Sequence, residues 1–201
     1  GGSLVSTLKR IHGAKICVYI GTHGNSYELP IVIEAARVFC RDHVGGRVHF
    51  VIAGQGEQTA SLKKMAAGMD NVSFVGWINS HEIAFLLKHA YLGIVPCKSV
   101  DGTFPNKPIE YMSAGLPIVS SIEGEMARLV EEKGLGCNYL PGDLDGLCRG
   151  IKCIVEDDAL HHEMSEAARC VFSEKYEADV LYSAYAEYLE NICKQIDGDK
   201  C

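Results

Sequence analysis

Short runs rich in apolar residues recur along this chain, at 16–20, 47–53, 71–75, 92–96 and 117–121, and each is followed by turn-forming residues and a stretch with helical spacing. Such runs, too short for helices and apolar on both sides, are the mark of strands buried on both faces of a parallel sheet. After 16–20 a glycine-rich loop leads to a helix through Cys40, with Pro30 near its start. Gly54-Gln55-Gly56 turns into a helix over 57–67 that Gly68 stops, and Asn79 with Glu82 has capping-box spacing for a helix through Ala90. A helix of about two turns is predicted over 107–114, ended by Gly115 in the left-handed conformation and barred from continuing by Pro117. Beyond 121 the pattern predicts a loop and helix, then Gly134-Leu135-Gly136 and a short strand through Leu140, then a helix with Asp143 as N-cap. From Asp158 the chain reads as helical, with Val180, Leu181, Ala184, Tyr185, Tyr188, Leu189 and Ile192 on one apolar stripe.

Strands alternating with helices at this spacing require an α/β fold, a doubly wound parallel sheet whose ligands bind at the carboxyl ends of the strands. One domain is expected over 15–194. Residues 1–14 are read as an expression scar, Gly1-Gly2-Ser3, and a basic amphipathic lead-in, and 195–201 as a frayed tail.

Composition narrows the function without naming it. A chain of 201 residues with 47% apolar content has enough for a real core. The net charge of -7 argues against a nucleic-acid groove, and no apolar run approaches the roughly 20 residues of a membrane span. Nine cysteines are scattered without a Cys-x-x-Cys pair, and Cys17, Cys40 and Cys153 sit in apolar runs as small hydrophobes, so a reducing cytoplasm is expected. The eight histidines form no metal-binding spacing, and no metal is expected.

Candidate chemistry gathers in LGIVPCKSVDGTFPNKPIEYMSAGLPIVSS, residues 92–121. Pro108 suits a first helical turn, so the helix begins at Asn106 or Lys107 and its free N–H groups face back into the loop. Those donors and the Lys107 charge make an anion site, while Glu110, one turn on, is suited to accept hydrogen bonds from sugar hydroxyls. Phosphate plus ribose is the ligand such a mouth fits. Taken singly, Lys107 also reads as a surface cation and Glu110 as a solvated carboxylate. The loop GTHG brings Gly21 and Gly24, which allow close approach to the backbone, but no Gly-x-Gly-x-x-Gly fingerprint.

The segment PNKPIEYMSAGLPIVSS resembles the donor-site signature of group-1 glycosyltransferases (family 4), Pro-Ser-Lys-x-x-Glu-Tyr-Met-Ala-x-Gly-x-Pro-Val-Val-Ala. The likeness extends over about 15–192. It implies a Rossmann-like C-terminal domain of a GT-B enzyme, in which Glu110 holds the ribose of a nucleotide sugar while Pro105, Asn106, Lys107, Pro108 and Ile109 hold its diphosphate. The family usually has Gly-Arg and a Lys-Gly after the first strand. This chain has Gly21, Thr22, His23 and Gly24, with Ser26 and Tyr27 following, so diphosphate binding would lean on backbone amides and Lys107. A first glutamate common in the family would fall at Gly102, with Asp101 next door as its substitute. His23 is either a donor to the ligand or an exposed loop residue.

By the same resemblance Gly54 and Gly56 line the donor cleft, Trp77 borders the base or packs under a loop, and Glu125 lies near the donor sugar or merely in a helix's first turn. The implied enzyme is a retaining transferase, cytoplasmic or at the inner face of a membrane, using a UDP- or GDP-type sugar as substrate with no cofactor, in polysaccharide biosynthesis. Lys107 and Glu110 would be its catalytic residues here. An N-terminal acceptor-binding domain is implied as partner. Two other readings stay open: a non-catalytic nucleotide-sugar module, and half of a GT-B sugar-nucleotide epimerase.

Overall fold

The computed structural model describes residues 4–42, 47–98, 106–180 and 182. Its strands are β1 (Lys15–Ile20), β2 (Val48–Ala53), β3 (Val72–Gly76), β4 (Leu92–Val95), β5 (Ile118–Ser120) and β6 (Gly136–Asn138). The helices are α1 (Leu4–Arg10), α2 (Leu29–Asp42), α3 (Thr59–Met65), α4 (Ser80–His89), α5 (Asn106–Ser113), α6 (Glu125–Glu132), α7 (Leu144–Glu156) and α8 (Asp158–Lys175). All six strands pair in parallel, in the order β3-β2-β1-β4-β5-β6. This is a doubly wound sheet, and its order reverses between β1 and β4, the place where such sheets open a crevice at their carboxyl ends.

Alternation along β1 divides the core. Ile16, Val18 and Ile20 face a cluster built with residues of α1, α4, α5, α6 and α8, including Leu86, Met112, Val130 and Val171. Cys17 faces the opposite side with Val32, Phe39, Ile151 and Ile154 of α2 and α7, and Tyr19 joins Leu29, Ile33, Ile52 and Leu62 in a third cluster toward the carboxyl end.

The helix ends follow local chemistry. Asn79 and Glu82 form the capping box, each side chain accepting from the other's backbone N–H at 3.0 Å. Asp143 Oδ1 accepts from the Gly146 N–H at 2.9 Å. Helix α5 starts at Asn106 with Pro108 buried in its first turn, and Gly115 follows it at φ 68°. Helix α3 is shorter than the 57–67 expected, because Gln58 is held in the loops: its N–H donates to the His23 carbonyl and its amide to the Gly24 carbonyl.

The lead-in expected before 15 is instead part of the domain. Leu4, Leu8 and Ile11 share one helical face and are buried in the main cluster, and Arg10 Nη2 donates to Ser73 Oγ at 3.0 Å. Cys17 is buried as expected, but Cys40 is half-buried and Cys153 exposed, since each lies off the core face of its helix. Val180 and Tyr182 are exposed, and the rest of the apolar stripe, like the proposed tail, lies outside the described residues. No helix among the described residues is long and apolar enough to cross a membrane.

Candidate functional site

Three glycine-bearing loops meet at the carboxyl edge beside the switch point. The Gly21 N–H donates to the Ala53 carbonyl at 3.0 Å and the Gly54 N–H to the Gly76 carbonyl at 2.6 Å, which ties the exits of β1, β2 and β3 together. Gly54, at φ 114°, lies so close to the Gly21 carbonyl that a Cβ there would overlap it. At Gly56 a Cβ would come within 2.7 Å of the His23 carbonyl oxygen. These glycines are required where one loop backbone crosses another.

His23 is neither exposed nor directed outward. It is fully buried, and its Nδ1 lies 2.9 Å from Thr59 Oγ1, which also accepts the Gly56 N–H at 2.8 Å. Burial holds its pKa below the ordinary value, with the Lys63 charge acting in the same direction against a counter-pull from the Ala53 carbonyl. The imidazole therefore binds the first loop to the second and keeps its neutral form. Thr22 is exposed and Gly24 half-buried beside it.

Lys107 crosses from α5 to this loop. A Cβ on Gly21 would overlap the Lys107 side chain, with Nζ at 2.9 Å. The ammonium sits 3.8 Å above the Tyr27 ring centroid and 5.6 Å from that of Tyr19. Tyr19 and Tyr27 meet edge to face at 5.7 Å, and the Tyr19 hydroxyl donates to the Thr22 carbonyl at 2.7 Å. A charge supplied from a helix on the far side of the switch point thus reaches the glycine loop.

Glu110 lies on the outer face of α5, exposed, while Pro108, Tyr111 and Met112 point inward. Its register is set by Tyr111, fully buried, whose hydroxyl accepts the Ile20 N–H at 3.2 Å and whose ring fills the space left by Gly93. Desolvation raises the Glu110 pKa above its usual range and the Lys107 charge opposes this, so the two lie in one electrostatic neighbourhood. Glu110 also borders a groove of about 530 Å³ between α4 and α5, with Ser80, Ile83 and Ala84 on its other wall.

Pro108 is buried, Ile109 half-buried and Asn106 exposed at the helix start, while Asp101 and Pro105 lie outside the described residues. Trp77, 69% exposed just beyond β3, is not packed under a loop. Glu125 is exposed in the first turn of α6 near Tyr176, whose pKa rises through burial and through the Glu125 charge. It is not among the residues lining the nearby cleft of about 490 Å³, which include Glu123, Gly124, Arg128 and Asn138. The edge thus brings Gly21, Thr22, His23, Gly24, Gly54, Gly56 and Lys107 together. Tyr27, named in the sequence only for its place in the loop, belongs to the same assembly, as do Tyr19 and Thr59, which were not singled out; alternation along β1 places Tyr19 on the face of Gly21 and was the available signal.

The sequence pattern of the family described as "Glycosyl transferases group 1" matches residues 7–171. The chain belongs to this family. It is 29% identical over 171 residues to the amylovoran biosynthesis glycosyltransferase AmsK of Erwinia amylovora, spanning 82% of this chain and 42% of AmsK. It is 27% identical over 173 residues to a glycogen synthase of Mycobacterium tuberculosis, spanning 85% of this chain and 41% of that protein. The chain therefore spans less than half the length of the curated relatives it matches. The fold matches that of Anabaena HepE, crystallised with UDP and glucose, at a TM-score of 0.79 and 19% identity, over 94% of this chain and 52% of HepE. The parallel six-stranded sheet flanked by helices is the Rossmann-like architecture of GT-B glycosyltransferases, as the donor-site segment implied.

Proposed function

We propose that this chain is the donor-binding half of a retaining glycosyltransferase that moves a hexose or amino sugar from a UDP- or GDP-type donor to a glycan or lipid-linked acceptor. The observation that carries the reading is the delivery of Lys107 onto the Gly21 loop at the switch point, with Glu110 one turn further along α5. A departing diphosphate develops negative charge, and a lysine beside a helix start meets that charge without reorganising, whereas the Gly21 and His23 N–H groups are already taken by the Ala53 and Gln55 carbonyls. Glu110 then accepts from the ribose hydroxyls. Trp77 is the neighbour offered to the base, and Asp101 the carboxylate offered to the sugar. In full length the chain pairs with an N-terminal acceptor-binding domain, works in the cytoplasm, and needs the donor itself rather than a separate cofactor. HepE, captured with UDP and glucose, and AmsK, named for amylovoran biosynthesis, support the donor class and a polysaccharide product.

Calorimetric titration with UDP, GDP and ADP tests this. One nucleotide should bind, and Lys107→Ala and Glu110→Ala should each weaken it by ~1.5–3 kcal/mol, roughly ten- to a hundred-fold. Binding unchanged by both substitutions would remove the reading.

A further inference from the structure

The loop after β1, residues 21–28, carries no lysine or arginine. Its aromatic residue, Tyr27, instead has the Lys107 ammonium 3.8 Å from its ring centroid. We propose that Tyr27 is a positioning residue: its ring is a cation–π seat that holds Lys107 against Gly21, at the place where the donor's phosphates are read. The inference rests on the donor-site reading above and names the device by which the lysine is aimed.

The seat is fixed before any ligand arrives. The Tyr27 N–H donates to the Gly24 carbonyl at 3.2 Å, and its backbone bridges to Cys97 beyond β4. On either side, the Glu28 N–H donates to the Pro96 carbonyl at 2.7 Å and the Lys98 N–H to the Ser26 carbonyl at 3.2 Å. The loop is thus fastened across the switch point to the strand that precedes α5. The Tyr27 ring stands edge to face on Tyr19, 1% exposed and anchored through its hydroxyl to Thr22.

A lysine loses side-chain freedom when it is held in one place. A ring face attracts an ammonium without cancelling its charge and leaves the N–H groups that point away from the ring for anionic oxygens, whereas a carboxylate partner would neutralise it. Tyr27 therefore lowers the ordering cost of Lys107 without neutralising it. The predicted consequence is selective: binding energy that depends on phosphate falls when the ring is removed, and binding of the nucleoside alone does not.

The test uses the 201-residue chain, with UDP and uridine as probes and GDP and guanosine as the second pair. Tyr27→Leu should weaken the diphosphate roughly three- to tenfold and leave the nucleoside unchanged, while Tyr27→Phe should stay within about twofold of the parent. In a Lys107→Ala background Tyr27→Leu should cost nothing further. A separate arm needs no ligand. In 13C-lysine-labelled protein the Lys107 ε-methylene signal, assigned by its loss in Lys107→Ala, should lie upfield through the ring current, remain there in Tyr27→Phe and revert in Tyr27→Leu. A Lys107 signal at the ordinary position in the parent chain overturns the seat whether or not the Tyr27 variants fold. Equal losses in Tyr27→Phe and Tyr27→Leu overturn it too, since they point to the hydroxyl. If neither nucleotide binds the parent chain, the donor-site reading fails, and with it the role in aiming Lys107, while the ring-current arm still decides the seat.

Discussion

Acid should destabilise this domain through one buried histidine far from the candidate site. His49, near the start of β2, is fully buried, with Nε2 2.9 Å from Ser73 Oγ, an oxygen that also accepts from Arg10 Nη2. Its Nδ1 is buried with no hydrogen-bond partner. Burial, reinforced by the charges of Arg10 and Arg47 and opposed by Asp70, lowers its pKa to about 4. An unfolded chain binds this proton near the ordinary value of about 6.5. Between those two values the unfolded state holds a proton that the folded state refuses, so stability is complete above the unfolded pKa and is lost as the pH falls toward the folded one. The interval of about 2.5 units corresponds to about 3 kcal/mol from this one group, a large share of a domain's total stability.

Urea unfolding followed by far-UV circular dichroism from about pH 7 to about pH 4.5 measures it, with His49→Gln as the comparison, since glutamine keeps a hydrogen-bonding group for Ser73 and does not titrate. Both proteins lose whatever acid does to the remaining groups; His23 and His161, also held low by burial, add slope of the same sign to each. The parent should lose about 2 kcal/mol more than His49→Gln over that range. Parallel curves would refute the reasoning, because they would mean that His49 takes up its proton in the folded protein as readily as in the unfolded one.

Other expectations are nearer the site. Gly54→Ala should cost about 2 kcal/mol or more in thermal or urea unfolding, since its Cβ meets the Gly21 carbonyl and its φ of 114° suits only glycine; an alanine tolerated there would deny the close crossing of the loops. Tyr111→Phe should cost about 1–3 kcal/mol by leaving the buried Ile20 N–H without its acceptor, and an unchanged unfolding midpoint would count against that bond. Because the Glu110 carboxyl is held above its ordinary pKa of 4.5, it loses its acceptor form earlier on acidification than a free glutamate. Nucleotide affinity should therefore fall with pH through a pKa above that value, and the step should vanish in Glu110→Gln.

Most of the architecture was legible because it depends on features that act locally. Runs such as ICVYI declare strands buried on both faces, and Asn79 with Glu82, Asp143, Pro108 and Gly115 declare helix ends through their own hydrogen bonds and φ values. What was not legible depends on packing between distant segments. The basic residues around 9–12 suggested a lead-in, and only the presence of α4 and β3 beside them turns Leu4, Leu8 and Ile11 into core. Nothing within GTHG says that its histidine will turn inward, because Thr59, its partner, lies 36 residues away. The cation–π contact between Tyr27 and Lys107 likewise joins residues that only the sheet order brings together.

Read alone, Gly21 leaves room for a ligand to approach the backbone, yet in the fold that room is taken twice by the protein itself, on one side by Gly54 and on the other by the Lys107 side chain. The Gly21 N–H is likewise taken, by the Ala53 carbonyl, so an anion drawn to this loop would meet the Lys107 ammonium. This predicts non-additive energetics: a substitution at Gly21 that crowds Lys107 off its seat should cost nearly what Lys107→Ala costs, and the two together scarcely more than either alone.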